Sequence, residues 1–294
     1  MKKRYLAIAA LAITLVACNN DNEIINTDGP VAVTFTADIA PATRASGTTW
    51  DSGDRIGITD IGTRYDNVPF ILNNGKFEAD GTVIYIADTE THTYRAYYPY
   101  NAAGGILAAT TDAASQQNQP AIDFLFASGA MGDKDNPTVS FTDQTVAGGE
   151  DHSFHHSMSR ITLTLEAGDG VDFSMVKPES YTLGGVKLTG TFNTDDGTAT
   201  ADDGAQAGEL AMDLADGNLT SSVIIFPQIT ASMPLVVNYN GQEYHATLTV
   251  PEGALQAGNN YTYTVKVNNK VLEVSDATIT PWTDVDGGEA GAEL

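Results

Sequence analysis

Apolar side chains recur with a period of two along most of this chain. In the stretch VAVTFTAD, residues Val31, Val33, Phe35 and Ala37 fall on one face and Ala32, Thr34, Thr36 and Asp38 on the other, the pattern of a half-buried β-strand. A loop of small and polar residues, APATRASGTT, follows; Pro41 restricts its backbone and Gly47 frees it. Such a loop suits a protease, because cleavage needs an extended backbone that can be drawn out of the fold. Its Arg44 is the basic residue nearest the strand, with Arg55 and Arg64 further on.

The same period predicts strands at Ile56–Ile58, Val68–Leu72, Gly75–Phe77, Val83–Ile86, Ile122–Ala127 and Val139–Phe141. In THTYRAYYPY, Tyr94, Tyr97, Tyr98 and Tyr100 fall too densely for alternation, and Pro99 ends the strand or puts it at an edge. Residues 101–118 read as a long loop with one helical turn. The polar connection TDQTVAGGED then marks a domain boundary, giving one domain over 31–150 and a second over 151–294. In the second, Ile161, Leu163 and Leu165 alternate with Thr162 and Thr164, and further runs lie at 181–183, 186–192, 223–226, 235–239, 244–250 and 261–267. Residues 194–208 read as an exposed hairpin loop. A last alternating stretch, VLEVSDATITPW, is marked by Val271, Val274, Ile279 and Trp282 and precedes an acidic, Gly-rich end. Short runs bounded by Gly, Asn, Asp or Pro are the spacing of β-sandwiches, so the fold class is all-β, and 294 residues suffice for two cores.

The first residues change the picture. Lys2, Lys3 and Arg4 precede an apolar stretch from Leu6 to Ala17 that is too short for an ordinary membrane span and reads as a signal peptide over 1–17. Leu15-Val16-Ala17-Cys18 matches a bacterial lipobox, which makes Cys18, the single cysteine, the lipidated first residue of the mature chain. Residues 18–30 then form a flexible tether, with Asp21 and Glu23 resembling a surface-export signal.

The formal net charge is −24. A field of that sign repels polyanions and argues against nucleic acid as a partner. Catalytic chemistry finds no purchase: there is no GxSxG elbow, HExxH or phosphate-binding loop, and no carboxylate pair stands out among so many. His152, His155 and His156 with Asp151 lack an identifiable further ligand. Asp133, Asp135 and Asn136 begin like a calcium loop, but Pro137 stands where a Gly is needed and Gln144 where an acid is needed. The expectation is therefore no catalytic residue, no metal and no cofactor. The Tyr94–Tyr100 cluster either packs a sandwich rim or stacks on a sugar ring.

Taken in order, the lipobox, TRAS around Arg44, TWDSGDRIGI (49–58), RAYYPY (95–100), FHHSMSRITLTL (154–165), VIIFPQ (223–228), NNYTYTVKV (259–267) and TITPW (278–282) resemble the fimbrillin family of type V pilus subunits. The resemblance implies two tandem transthyretin-like β-sandwich domains and a lipid-anchored precursor in the outer membrane, at the cell surface. It also implies that an arginine-specific protease cuts between Arg44 and Ala45, removing a strand and cleavage loop over 31–44. A strand from the next pilin subunit then fills the vacated groove and builds an adhesive fimbrium. The best donor by alternation is 271–282, with Val271, Val274, Ile279 and Trp282 as its marks. Two other readings stand beside this one. One is an uncleaved or tip-located surface lipoprotein that adheres to a glycan or host surface protein; the other is a surface hydrolase.

Overall fold

The computed structural model describes residues 29–40, 49–214, 217–269 and 271–282, and these are almost entirely β. The first half contributes β1 (Val31–Ala32), β2 (Thr34–Ala37), β3 (Arg55–Asp60), β4 (Val68–Asn73), β5 (Lys76–Ala79), β6 (Tyr85–Ile86), β7 (His92–Tyr98), β8 (Ile106–Thr110), β9 (Leu125–Gly132), β10 (Thr138–Phe141) and β11 (His155–His156). The second half contributes β12 (Ser159–Ala167), β13 (Ser180–Val186), β14 (Thr189–Asn193), β15 (Ala199–Ala201), β16 (Gly208–Asp213), β17 (Thr220–Ile225) and β18 (Gln228–Ile229). It continues with β19 (Ser232–Tyr239), β20 (Gln242–Thr249), β21 (Ala254–Leu255), β22 (Asn259–Val267), β23 (Leu272–Val274) and β24 (Thr278–Pro281).

Eight strands of the first half form one sheet in the order β10-β2-β5-β4-β3-β7-β9-β11. The sheet curls until β10 packs near β9, enclosing a core that runs from Val33 to Phe154. The β4–β5 hairpin turns on Asn74-Gly75, both at positive φ (49° and 78°), the two-residue turn whose twist matches that of the strands it joins. Gly57 in β3 serves a different purpose. A β-carbon there would run into the Tyr97 ring and the Asn67 side chain, so the glycine lets Tyr97 lie across the sheet.

In the second half, the sheet β17-β12-β22-β23, with β24 also on β22, packs against β16-β13-β19-β20. Ile161, Leu163 and Leu165 point into the core between them, joined by Leu183, Leu235, Val237 and Tyr263. This is the arrangement that period-two strands reach when one face of each sheet is dry.

Two loop expectations are overturned. Residues 106–110 form β8, which pairs antiparallel with β14 from Thr189↔Thr110 to Asn193↔Ile106. Residues 199–201 form β15 on the other side of β14, with Ala199 and Ala201 buried. Both segments are short; in β8 the large residues Ile106 and Leu107 are adjacent rather than alternating, and β15 is built on small residues, so neither gives a period-two signal. The aromatic rings of Phe192 and Phe226 supply the burial instead, in a third cluster that joins residues of both halves.

Candidate functional site

Thr34–Ala37 (β2) lies within the first sheet with a partner on each side, while Val31–Ala32 (β1) belongs to a separate two-stranded sheet. β1 pairs with β6, and the Val33 amide donates to the Ile84 carbonyl at 2.9 Å. β2 runs parallel to β10 through four register pairs, from Thr138↔Thr34 to Phe141↔Ala37, and meets β5 at Phe35↔Phe77. Beyond it, Ala40 donates to the Phe154 carbonyl at 2.7 Å and Phe154 donates back to Asp38 at 2.9 Å. On the outer face, Thr34 meets Thr138 and Thr36 meets Ser140, hydroxyl to hydroxyl, at 3.1 and 2.9 Å.

The inner face holds the apolar content. Val33, Phe35 and Ile39 are buried, while Val31 and Ala37 are half-buried. The Phe35 ring meets Phe70 and Tyr94 edge-on at 4.8 and 5.4 Å and lies parallel to Phe141 at 6.2 Å. Burying three such side chains is worth about 5–9 kcal/mol as an upper estimate. Without this strand, β10 would lose its ladder, and an apolar trench lined by Phe70, Tyr94, Val139 and Phe141 would stand open. Such an edge invites pairing with another chain.

Ile39 and Trp50 extend this seat beyond what alternation to Ala37 alone suggests. Ile39 continues the same face by two more residues. Trp50, on the far side of residues 41–48, packs on Phe77, Tyr98 and Phe154. Cys18, Arg44 and Ala45 lie outside the described residues.

The C-terminal candidates occupy a sheet edge. β23 and β24 both pair antiparallel with β22, from Val265↔Val274 and Tyr261↔Ile279. Trp282 is buried and Val274 half-buried, whereas Val271 and Ile279 are exposed; Leu272, between the marks, is the buried residue of β23. The Trp282 ring lies parallel to His156 at 4.2 Å, its amide donates to the Gly258 carbonyl, and the Arg160 guanidinium sits 5.9 Å from it. His156 Nδ1 in turn lies 2.8 Å from Asp123 Oδ1. A cavity of about 390 Å³ separates this group from the N-terminal strand, with Ile39 and Trp50 on one wall and Asp123, Arg160 and Trp282 on the other.

The remaining candidates are structural in their surroundings. Tyr94 and Tyr97 are buried, and Tyr98 and Tyr100 partly so. Burial, with Asp60 near Tyr94 and Asp54 near Tyr98, pushes both of those hydroxyls well above the usual range, so they stay protonated. His155 and His156 point to opposite sides of β11, His155 toward Asp151 at 3.1 Å and His156 toward the core. The acidic loops cap their own turns: Asp133 accepts from the amides of Asp135 and Asn136, and Asp202 from that of Gly204. Among the described residues, no group of three His, Cys, Asp or Glu is placed to hold a metal ion, and no helix is long and apolar enough to cross a membrane.

Known proteins resemble this chain along nearly its whole length. A family model described as fimbrillin-like matches residues 43–282. A protein of Bacteroides uniformis, described as a candidate fimbrium subunit, Fim1C, is 30% identical over 312 aligned positions that cover 98% of each chain. A candidate cell adhesion protein from Bacteroides ovatus superposes with a TM-score of 0.74 at 28% identity, over 88% of this chain and 100% of that one. A second, from Bacteroides uniformis, does so with a TM-score of 0.69 at 26% identity, over 87% and 100%.

Proposed function

The chain belongs to the fimbrillin-like family, and on that premise we propose that it is a structural subunit of adhesive surface fimbriae. It is exported as a lipoprotein held in the outer membrane through Cys18, cut between Arg44 and Ala45 by an arginine-specific protease, and polymerised by strand exchange with other pilin subunits. It has no catalytic role. In this reading its two cores are the tandem transthyretin-like sandwiches of the family.

The observation that carries the reading is the seat of β2. A strand between β10 and β5, filled by Phe35 and followed in sequence by the small and polar residues 41–48, is one whose loss creates both an apolar trench and unpaired backbone. An incoming strand with the same alternation restores both. The segment 271–282 suits the role of donor, because it lies at the edge of its own sheet and can leave without dividing that sheet. Donor and groove are different surfaces, so the contact is head-to-tail and propagates. An adhesin built on the Tyr94–Tyr100 cluster has less support, since Tyr94 and Tyr97 are turned into the core.

The experiment is N-terminal sequencing and gel analysis of the protein taken from the cell surface, with Arg44→Ala beside the natural chain. The expected result is a start at Ala45 and a ladder in mild detergent, with a lipidated, monomeric Arg44→Ala form. A lipidated start at Cys18 in a natural monomer would overturn polymerisation.

A further inference from the structure

At the end of the first core where the N-terminal strand enters, a cleft of about 560 Å³ opens between the β3–β4 and β6–β7 connections. Its floor is Asp60, whose carboxylate is fully buried. His92 Nδ1 lies 2.8 and 3.0 Å from the two Asp60 oxygens, and its Nε2 lies 3.1 Å from Asp88 Oδ1. A carboxylate at each ring nitrogen favours the protonated imidazole, which donates from both. Burial opposes that charge, but the hydrogen bonds to Asp88 and Asp60 outweigh it and raise the His92 pKa.

Two more features complete the cleft. The Arg64 guanidinium lies 4.9 Å over the Tyr65 ring and donates to its hydroxyl at 3.0 Å. Tyr85, on the two-residue strand β6, leaves 43% of its surface open. Each carboxylate of the cleft has a basic side chain beside it, Asp60 and Asp88 on His92 with Arg64 on the same wall, in a chain whose net charge is −24. The cleft offers an acceptor at Asp88 and donors at Arg64 beside an open aromatic face, which is the chemistry that recognises a polyhydroxyl ring.

We propose that this cleft binds a neutral sugar unit of a glycan, with a C–H face of the pyranose against Tyr85, a hydroxyl donating to Asp88 and another accepting from Arg64. The site belongs to the uncleaved chain: Pro30 forms part of its rim, and β1 pairs with Tyr85 and Ile86 of β6. It needs neither processing nor strand exchange, so its test stands or falls apart from that of polymerisation.

The test is saturation-transfer NMR on the full, uncleaved chain with the methyl glycosides of galactose, glucose, mannose, fucose and N-acetylglucosamine at millimolar concentration. The methyl glycoside of N-acetylneuraminic acid serves as the charged comparison. The expected result is saturable transfer from at least one neutral glycoside, weakened about tenfold by Tyr85→Ala and retained by Tyr85→Phe. Arg64→Gln should weaken it as well, with the unfolding midpoint of each variant unchanged. Absence of transfer from every neutral glycoside would overturn the proposal. So would preference for the charged one, or equal binding by Tyr85→Ala at an unchanged midpoint.

Discussion

Trp50 donates its indole Nε1–H to the carbonyl oxygen of Ala37 at 2.9 Å. The bond spans residues 41–48, so a side chain that follows them holds the end of the strand that precedes them. Its ring also packs edge-on against Phe77, Tyr98 and Phe154 at 5.2, 5.5 and 5.0 Å. Trp50→Phe removes the donor and keeps most of the packing. It should cost about 1 kcal/mol in urea unfolding with an unchanged m-value, and the strand should leave faster after cleavage by an arginine-specific protease. An unchanged midpoint together with unchanged release would show that the bond holds nothing.

Phe35 is the centre of the strand's seat. Phe35→Ala empties the space between Phe70, Tyr94 and Phe141 and should cost about 3–5 kcal/mol. Thr34→Ala, one residue away on the exposed face, should change stability by no more than about 0.5 kcal/mol. Equal losses in chemical denaturation would mean that backbone pairing rather than the apolar face holds the strand.

The C-terminal segment is pinned at its end. Trp282 stacks on His156 at 4.2 Å, and β24 adds a short ladder to β22. Trp282→Ala should lower the opening free energy of the Thr278 to Thr280 amides by about 3 kcal/mol in hydrogen exchange. The β12–β22 ladder should stay protected. If exchange in β24 is unaffected, another contact anchors the segment.

Stability should depend on pH through His92. Its folded-state pKa is raised, because the hydrogen bonds to Asp88 and Asp60 outweigh the opposing effect of burial. The stability it contributes is therefore complete below its unfolded value of about 6.5 and is lost as the pH rises through the higher folded value. Urea unfolding at stepped pH should show that falling limb, and His92→Gln should flatten it. A His92→Gln profile parallel to that of the natural chain would contradict the pairing.

Where strands lie was legible wherever the alternation was carried by large side chains. Val33 and Phe35 are buried while Thr34 is exposed, and the alternation of Ile161, Leu163 and Leu165 with threonines places them all in one core. Alternation is local, because successive side chains of an extended backbone must face opposite ways. The same reading failed at Ile106–Thr110, where Ile106 and Leu107 are adjacent rather than alternating and the partner β14 lies far along the chain, and at Ala199–Ala201, where small residues give little contrast. It also did not single out the His92–Asp60–Asp88 group. Those three residues match no motif; Asp88 and His92 are four positions apart, and Asp60 reaches them only because β3 pairs with β7.

By itself the sequence determined that this chain is all-β, roughly where its strands and turns fall, and which family it belongs to, since periodicity, turn chemistry and motif order are properties of neighbouring residues. Only the tertiary structure decided that the N-terminal strand lies parallel to β10, whose residues follow it by about a hundred positions, and that Trp50 closes its end. It also decided that Trp282 rests on His156. The physical reason is that pairing partners and packed rings are chosen by which distant surfaces can be dried and hydrogen-bonded together, a property of the whole chain that no local pattern encodes.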